Sequence, residues 1–396
     1  MKDKKITNSL KFNKFSFLAL LDGLDIFLNL SIITYLSIFF FQDLDNRISI
    51  LIVSFIILLS FFSRSSFFCF IEKILFKFNK ENFNLYYAFS IFYFIPFFLI
   101  DSIELISLFI FILCRFFIGN LFYLAKKNYL SSEEFKKENN FFIKYIIIFI
   151  CGMIIGSFVF TILNDVFSNN DLNNWAWKCS YIFLLAVSIG FGFFLKYKVF
   201  LLNLKNNLQL SSSNKNFFFF LKNICLIVPF YLFFIYSSEN WLPRFSNPEN
   251  MQVLDFGIIN ILLILLLTIF SFPLFSLIGN KKLNNFVSIL VIFISIFAFA
   301  FEYSSSYSID FLKFYLSIIS SFIICLNSLN SKQSNEKDVF IYLSLLTLIF
   351  IILSIMTPLT FYFFINFSVS YNIIYLIIGM LFLTSFLAGK YGERKN

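Results

Sequence analysis

The chain has 396 residues, 59% of them hydrophobic and 13% charged, with a formal net charge of +9 and a mean hydropathy of +0.85. A soluble domain carries roughly 25% charge, so this composition excludes an ordinary water-soluble protein and implies a chain built to sit in lipid. No His is present. That removes the usual proton relay near neutral pH and the commonest metal ligand, leaving Asp, Glu and Lys for any proton chemistry.

A bilayer core about 30 Å thick needs about 20 apolar residues per helix. Apolar runs separated by polar breaks predict helices over Phe15 to Phe41, Ile48 to Ile71, Phe83 to Ile100, Leu105 to Ala125, Phe141 to Leu163 and Ser180 to Leu195. They continue over Phe217 to Tyr236, Phe256 to Ile278, Phe286 to Phe301, Phe311 to Leu329, Val339 to Phe364 and Tyr371 to Leu387. The expectation is an all-α integral membrane protein of twelve spans. The basic start "MKDKKITNSLKFNK" precedes an apolar run too long for a signal-peptide core, so the first span is expected to be retained.

Positive charge orients the spans. With both termini cytoplasmic, all but six of the 31 Lys and Arg fall on the cytoplasmic side. The exceptions are Arg47, Lys178 and Arg244 outside and Arg64, Arg115 and Lys313 within spans; Lys144 and Lys222, just inside the cytoplasmic ends of the fifth and seventh spans, count with the cytoplasmic side. The longest cytoplasmic break, "KYKVFLLNLKNNLQLSSSNKNF", divides the chain into two six-helix bundles, 1–195 and 217–396, joined by a linker at 196–216. This six-plus-six layout is what a duplicated transporter shows.

The first span holds "LDGLDIFLN", which sets Asp22, Asp25 and Asn29 on one helical face. Ionisable groups inside a span are costly and point to function. Two carboxylates so close repel one another, which suits one of them to carry a proton in a chain without His. The plainer reading leaves Asp22 hydrated near the interface. Arg115, halfway along the fourth span, needs a partner in either of two roles: a structural ion pair, or a clamp on a substrate carboxylate. "CGMIIGS" in the fifth span places Gly152 and Gly156 as GxxxG, which permits close helix approach. The six Cys form no CxxC pair, so neither a disulfide framework nor a zinc site is expected. No glycine-rich nucleotide loop is present either, so no cofactor, metal or enzymatic activity is expected.

Several stretches, in order, resemble motifs of the major facilitator superfamily, and within it the metabolite:proton symporter group that includes proline/betaine, shikimate and dicarboxylate permeases. "LDGLDIFLN" is similar to that group's "GNxLEWYDF", with Asp25 at the Glu position. "FSRSSFFCFIEKILFKFNKEN" resembles "ARPLGxxxFGxxGDRxGRK", keeping Arg64, Lys77 and Lys80 but with Phe76 where the Asp stands and the glycines lost. "RFFIG" resembles "RxxQG" without the following "GGE", and "WAWKCSY" resembles "WGWRxPF" with Trp175, Trp177 and Lys178. "FPLFSLIGNKK" and "TPLTFYFFINF" are similar to "PLxGxLSDRxGR" and "TPLIATYLI".

The resemblance implies alternating access by two bundles, with spans one, four, seven and ten around a central cavity. It assigns Asp25 and Asp22 to proton coupling. It places Arg115, Asn29, Tyr231, Tyr236, Tyr315, Ser317, Ser321 and Asn327 at the cavity, though hydroxyls there serve helix packing just as well. Arg64, Lys77, Lys80 and Lys281 fall at the gating positions, where positive-inside charge alone also accounts for the lysines. Trp175 and Trp177 read as an interfacial anchor. The expected function is proton-coupled symport of a small polar solute (an osmolyte, amino acid or organic acid) by a multi-pass monomer of the bacterial inner membrane. Its partners would be the solute, protons and membrane lipids, with no nucleic acid. The alternatives are an uncoupled facilitator or exchanger, and a non-transporting scaffold or sensor.

Overall fold

The structure is a computed structural model that describes residues 14–64, 83–99, 104–130, 141–195, 198–199, 255–278, 280–302, 314–315, 317–325, 377–380, 382–383 and 387. Helices α1 (Lys14–Ser31) and α2 (Ile33–Phe40) fill the first expected span, and α3 (Asn46–Ser63) the second. Helix α4 (Leu85–Phe94) runs into a 3-10 turn, Ile95–Phe98. Pro96, which has no N–H to continue the ladder, accounts for that change of pitch. Then come α5 (Glu104–Leu130), α6 (Phe141–Val166) and α7 (Lys178–Leu195). In the second half, α8 (Asp255–Ile278) and α9 (Asn280–Glu302) are followed by helical residues at 317–325 and 377–380.

Among the described residues two helices, at Ile106–Ala125 and Lys144–Val166, are long and apolar enough to cross a membrane. The number rises to four if each bent pair, Ser16–Ser31 with Ile33–Phe40 (53°) and Asn169–Ala176 with Lys178–Phe193 (57°), is one span. The seventh and eleventh expected spans lie outside the described residues, as do Lys77, Lys80, Tyr231, Tyr236 and Asn327 and most of the 196–216 linker.

The burial pattern inverts that of a soluble protein. Phe109, Phe158, Phe193, Phe270 and Phe293 point outward at 61–72% exposure, while Asp22, Asp25, Asn29, Arg64 and Arg115 are all buried. Apolar rings spread over the outside in this number would aggregate in water; they suit a lipid surround.

The tightest contact is between α1 and α6. A Cβ on Gly23 would lie 2.0 Å from the backbone oxygen of Phe149, and one on Gly152 2.2 Å from that of Leu20. Two backbones therefore touch where the glycines sit, which is the close approach that "CGMIIGS" predicts, with Gly23 as its counterpart on the first helix. Helix α3 packs on α5, α4 on α7, and α8 on α6. Around this frame, Phe89–Phe122 (4.5 Å between ring centroids), Phe39–Trp177 (5.1 Å) and Phe17–Phe191 (4.9 Å) fill the interior.

Candidate functional site

The first helix is polar on its inner face because Asp22, Asp25 and Asn29 recur at three- and four-residue spacing. Gly23, between the aspartates, lets that helix lie against α6 and sets both carboxylates among α1, α3, α5 and α6. Asp25 is 0% exposed, and four donors reach its carboxylate. Arg115 on α5 holds it with Nη1 on Oδ1 at 2.8 Å and Nη2 on Oδ2 at 3.1 Å. Arg64, at the end of α3, gives Nη2 to Oδ2 at 2.7 Å, and the Asn29 amide donates to Oδ1 at 3.0 Å. A carboxylate has about four acceptor sites. Those of Asp25 are filled, so a proton can bind there only if one donor moves away.

Asp22 is held on both of its oxygens. Its Oδ1 lies 2.7 Å from Arg64 Nη1, and Tyr145 on α6 donates its hydroxyl to Oδ2 at 2.6 Å. Arg64 thus spans both carboxylates, its two terminal nitrogens divided between them, and its guanidinium lies 4.6 Å from the Phe122 ring centroid. Two arginines therefore meet two aspartates, and the four formal charges sum to zero. That charge balance relieves the carboxylate repulsion expected from "LDGLD" alone.

A second layer orients the cluster. Asn29 also donates to the Asp25 backbone carbonyl at 2.6 Å, and Tyr181 on α7 donates to Asn29 Oδ1 at 2.5 Å. The α1–α2 break at Ile32 falls one turn later. An amide competing for a ladder carbonyl is one of the things that bends a helix without Pro or Gly. Tyr93 on α4 is fully buried with its hydroxyl beside Asp25 and within electrostatic reach of Arg115 and Arg64.

These tyrosines give a graded expectation. Tyr145→Phe should destabilise the protein by about 1–2 kcal/mol, because it leaves an oxygen of buried Asp22 short of its donor. Tyr93→Phe, whose hydroxyl lies beside an Asp25 that four other donors already hold, should cost less. Thermal unfolding of the purified protein in detergent separates the two.

Other expected residues lie elsewhere. Tyr315 is buried and shares a hydrogen bond with Ser295 on α9. Ser317 is buried, and Ser321 donates to the Ile318 carbonyl at 2.8 Å. Those two bonds stay within the carboxyl-terminal helices. Lys281 is on α9, with only its backbone among the described residues. Trp177 is fully buried against Phe39 and Tyr181, whereas Trp175 is half exposed and packs on Phe167. The pair thus splits, with one ring in the core and one outside. Lys178 donates to the Leu99 carbonyl at 2.5 Å, and its ammonium lies 5.3 Å from the Phe39 ring.

The sequence singled out Arg64 with the gating loop after span two; the structure sets it between Asp22 and Asp25. Tyr93, Tyr145 and Tyr181 were not foreseen. The available signal was compositional: in a chain of 66 Phe and only 19 Tyr, a hydroxylated ring inside a span stands out.

No family model and no curated protein matches the sequence. Solved structures do match. The Escherichia coli xylose transporter XylE, in a partially occluded inward-open conformation, is similar at 14% identity over 94% of this chain and 97% of that one, with a TM-score of 0.58. The Escherichia coli fucose:proton symporter FucP matches at 14% identity over 96% and 98% of the two chains, with a TM-score of 0.61. The outward conformation of FucP, described as a Major Facilitator Superfamily transporter, matches at 15% identity over 95% and 99%, with a TM-score of 0.54. At these identities the likeness is one of fold: the regular structure of the described residues is helical apart from a short antiparallel pairing of Phe83–Asn84 with Lys198–Val199, and the chain's fold is similar to that of these transporters.

Proposed function

We propose that the chain is a secondary transporter of the bacterial cytoplasmic membrane that moves a small polar organic solute together with protons. Two six-helix bundles, 1–195 and 217–396, would rock about a central site, with both termini cytoplasmic. One observation carries this reading: a charge-balanced cluster of two Asp and two Arg, buried in a fold shared with transporters. Buried ion pairs rarely repay their desolvation as stability, and ionisable groups inside spans mark ion or substrate pathways.

In this mechanism Asp25 is the proton carrier, Asp22 its modulator and Arg115 its charge partner. Because every acceptor site on Asp25 is filled, proton uptake requires one of its donors, a guanidinium or the Asn29 amide, to move away. Arg64 would belong to this switch. Lys77, Lys80 and Lys281 keep their proposed role in closing the cytoplasmic side. The same saturation of Asp25 favours a second reading, an uncoupled facilitator or exchanger in which the cluster is a fixed strut.

Uptake into proteoliposomes separates the two. Under an imposed inward proton gradient a symporter accumulates its solute against a gradient, and Asp25→Asn loses accumulation while keeping exchange. An uncoupled carrier only equilibrates, with or without the pH gradient.

A further inference from the structure

Asp25, Asn29 and Tyr181 form a chain of hydrogen bonds whose polarity is fixed, and that polarity decides how a proton can reach Asp25. The Tyr181 hydroxyl lies beside the Arg115 guanidinium, which donates and never accepts. The tyrosine oxygen therefore turns towards Arg115 and its O–H towards Asn29, where it meets Oδ1 at 2.5 Å. With that oxygen engaged, the Asn29 amide presents its N–H groups to Asp25, reaching the carboxylate Oδ1 at 3.0 Å and the backbone carbonyl at 2.6 Å. All three side chains are at most 1% exposed, so bulk water does not replace a bond that breaks.

Of the four donors on Asp25, three are guanidinium N–H groups and one is this amide. Drawing a guanidinium away separates buried opposite charges, which is strongly opposed. Drawing the neutral amide away loses a hydrogen bond and leaves both arginines in place. Asn29 is thus the donor whose departure opens Oδ1 with the smallest loss, and Tyr181, on another helix, keeps it there.

The titratable or charged groups that face Asp25 are Asp22 on its own helix, Arg64 after α3, Tyr93 on α4, Arg115 on α5 and Tyr181 on α7. Cys114 adjoins Arg115, Tyr145 on α6 bonds to Asp22, and Tyr35 on α2 bonds to Asn164. Tyr93 also sets a hydroxyl beside Asp25, and Tyr93→Phe separates its effect from that of Asn29.

We propose that Tyr181 is a positioning residue for the proton site: through Asn29 it keeps Asp25 Oδ1 occupied, and a proton binds there when α1 and α7 shift and the tyrosine releases the amide. This deepens the transport reading above and rests on Asp25 as its proton carrier. It ties proton uptake to the contact between two spans, next to the break at Ile32 that follows Asn29 by three residues.

The test follows the carboxylic acid itself and not turnover. Full-length protein in detergent is titrated with acid under infrared difference spectroscopy, and the C=O band that Asp25→Asn lacks is assigned to protonated Asp25. Removing a donor from a carboxylate favours its protonated form. In Tyr181→Phe the band is therefore expected to appear with a midpoint about one pH unit above that of the parent. Asn29→Leu, which deletes the amide, should give the same rise and supplies the reading if Tyr181→Phe does not fold. Adding Tyr181→Phe to Asn29→Leu should move the midpoint no further.

A merely structural tyrosine would lower the melting temperature and leave the midpoint where it was. An unchanged midpoint in Tyr181→Phe or Asn29→Leu overturns the inference and leaves Asp25 as the proton carrier. So does a rise that the two substitutions give additively, because Tyr181 would then act by a route other than Asn29. An equal rise in Tyr93→Phe also overturns it, since the loss of any neighbouring hydroxyl would then suffice. If no band is assignable to Asp25 in the parent or in any variant, Asp25 takes up no proton, and the proton-coupled reading falls together with the inference.

Discussion

Asp25→Ala is expected to destabilise the protein by roughly 3–5 kcal/mol and to abolish transport. The variant removes the carboxylate that Arg115 grips with both terminal nitrogens and one of the two that hold Arg64, leaving a buried net charge of +2 − 1. Asp22→Asn also leaves the cluster at +1. There, however, Asp25 still engages both arginines, so the loss should be smaller, about 1–3 kcal/mol. The double variant Asp25→Leu with Arg115→Met restores neutrality around the remaining Asp22–Arg64 pair. Replacing a buried ion pair by apolar groups of similar bulk is often neutral or better, so the double variant should melt well above Asp25→Ala yet remain inactive. Thermal unfolding and size-exclusion profiles in detergent check the order. If the double variant is no more stable than the single one, charge balance is not what holds the cluster.

That contrast bears on what was legible in the sequence. Hydropathy runs placed the first helix within a residue or two of its observed start at Lys14 and ended the sixth at Leu195, as observed. Long apolar runs leave few other solutions in lipid. The Asp25–Arg115 pairing was also within reach, because a buried Arg must find an anion and few carboxylates lie inside spans. Arg64 was harder. It follows the last residue of α3, Ser63, where sequence alone cannot tell a residue that turns back into the bundle from one that begins a cytoplasmic loop. The hydropathy run put it inside the second span and the resemblance gave it a gating position; its side chain reaches the two aspartates.

The break at Ile32 had no Pro or Gly to announce it, and the bend before Lys178 follows a Ser168–Asp171 capping box and a π-helical turn at Leu172–Ala176. Trp175 and Trp177 show the limit of spacing as evidence: two residues apart on a bent segment, one ring enters the core and the other does not. Side-chain direction at a bend follows from the bend, and here the bend depends on contacts that span the whole bundle, such as Tyr181 on Asn29.

The second large effect concerns backbone approach. Gly23→Ala and Gly152→Ala are each expected to prevent stable folding of the amino-terminal bundle, with little monodisperse protein recovered in detergent. The added methyls would lie 2.0 Å from the Phe149 oxygen and 2.2 Å from the Leu20 oxygen. The obstacle in both cases is backbone, which has no rotamer to change, so α1 and α6 must separate along their length. That separation pulls Tyr145 on α6 away from Asp22 on α1, and with it the anchor that keeps Arg64 between the two aspartates. Two neighbouring glycines act as controls. A Cβ on Gly156 would meet the Phe27 Cβ at 3.3 Å, a contact that a small shift of α1 against α6 relieves, and one on Gly190 meets nothing within 4 Å. Gly156→Ala should therefore fold with a modest loss. Gly190→Ala, in the interior of α7, should gain about 0.5–1 kcal/mol from the better helix former. If Gly23→Ala behaves like Gly190→Ala in thermal unfolding, the backbone contact between the first and fifth spans is not what seats the aspartates.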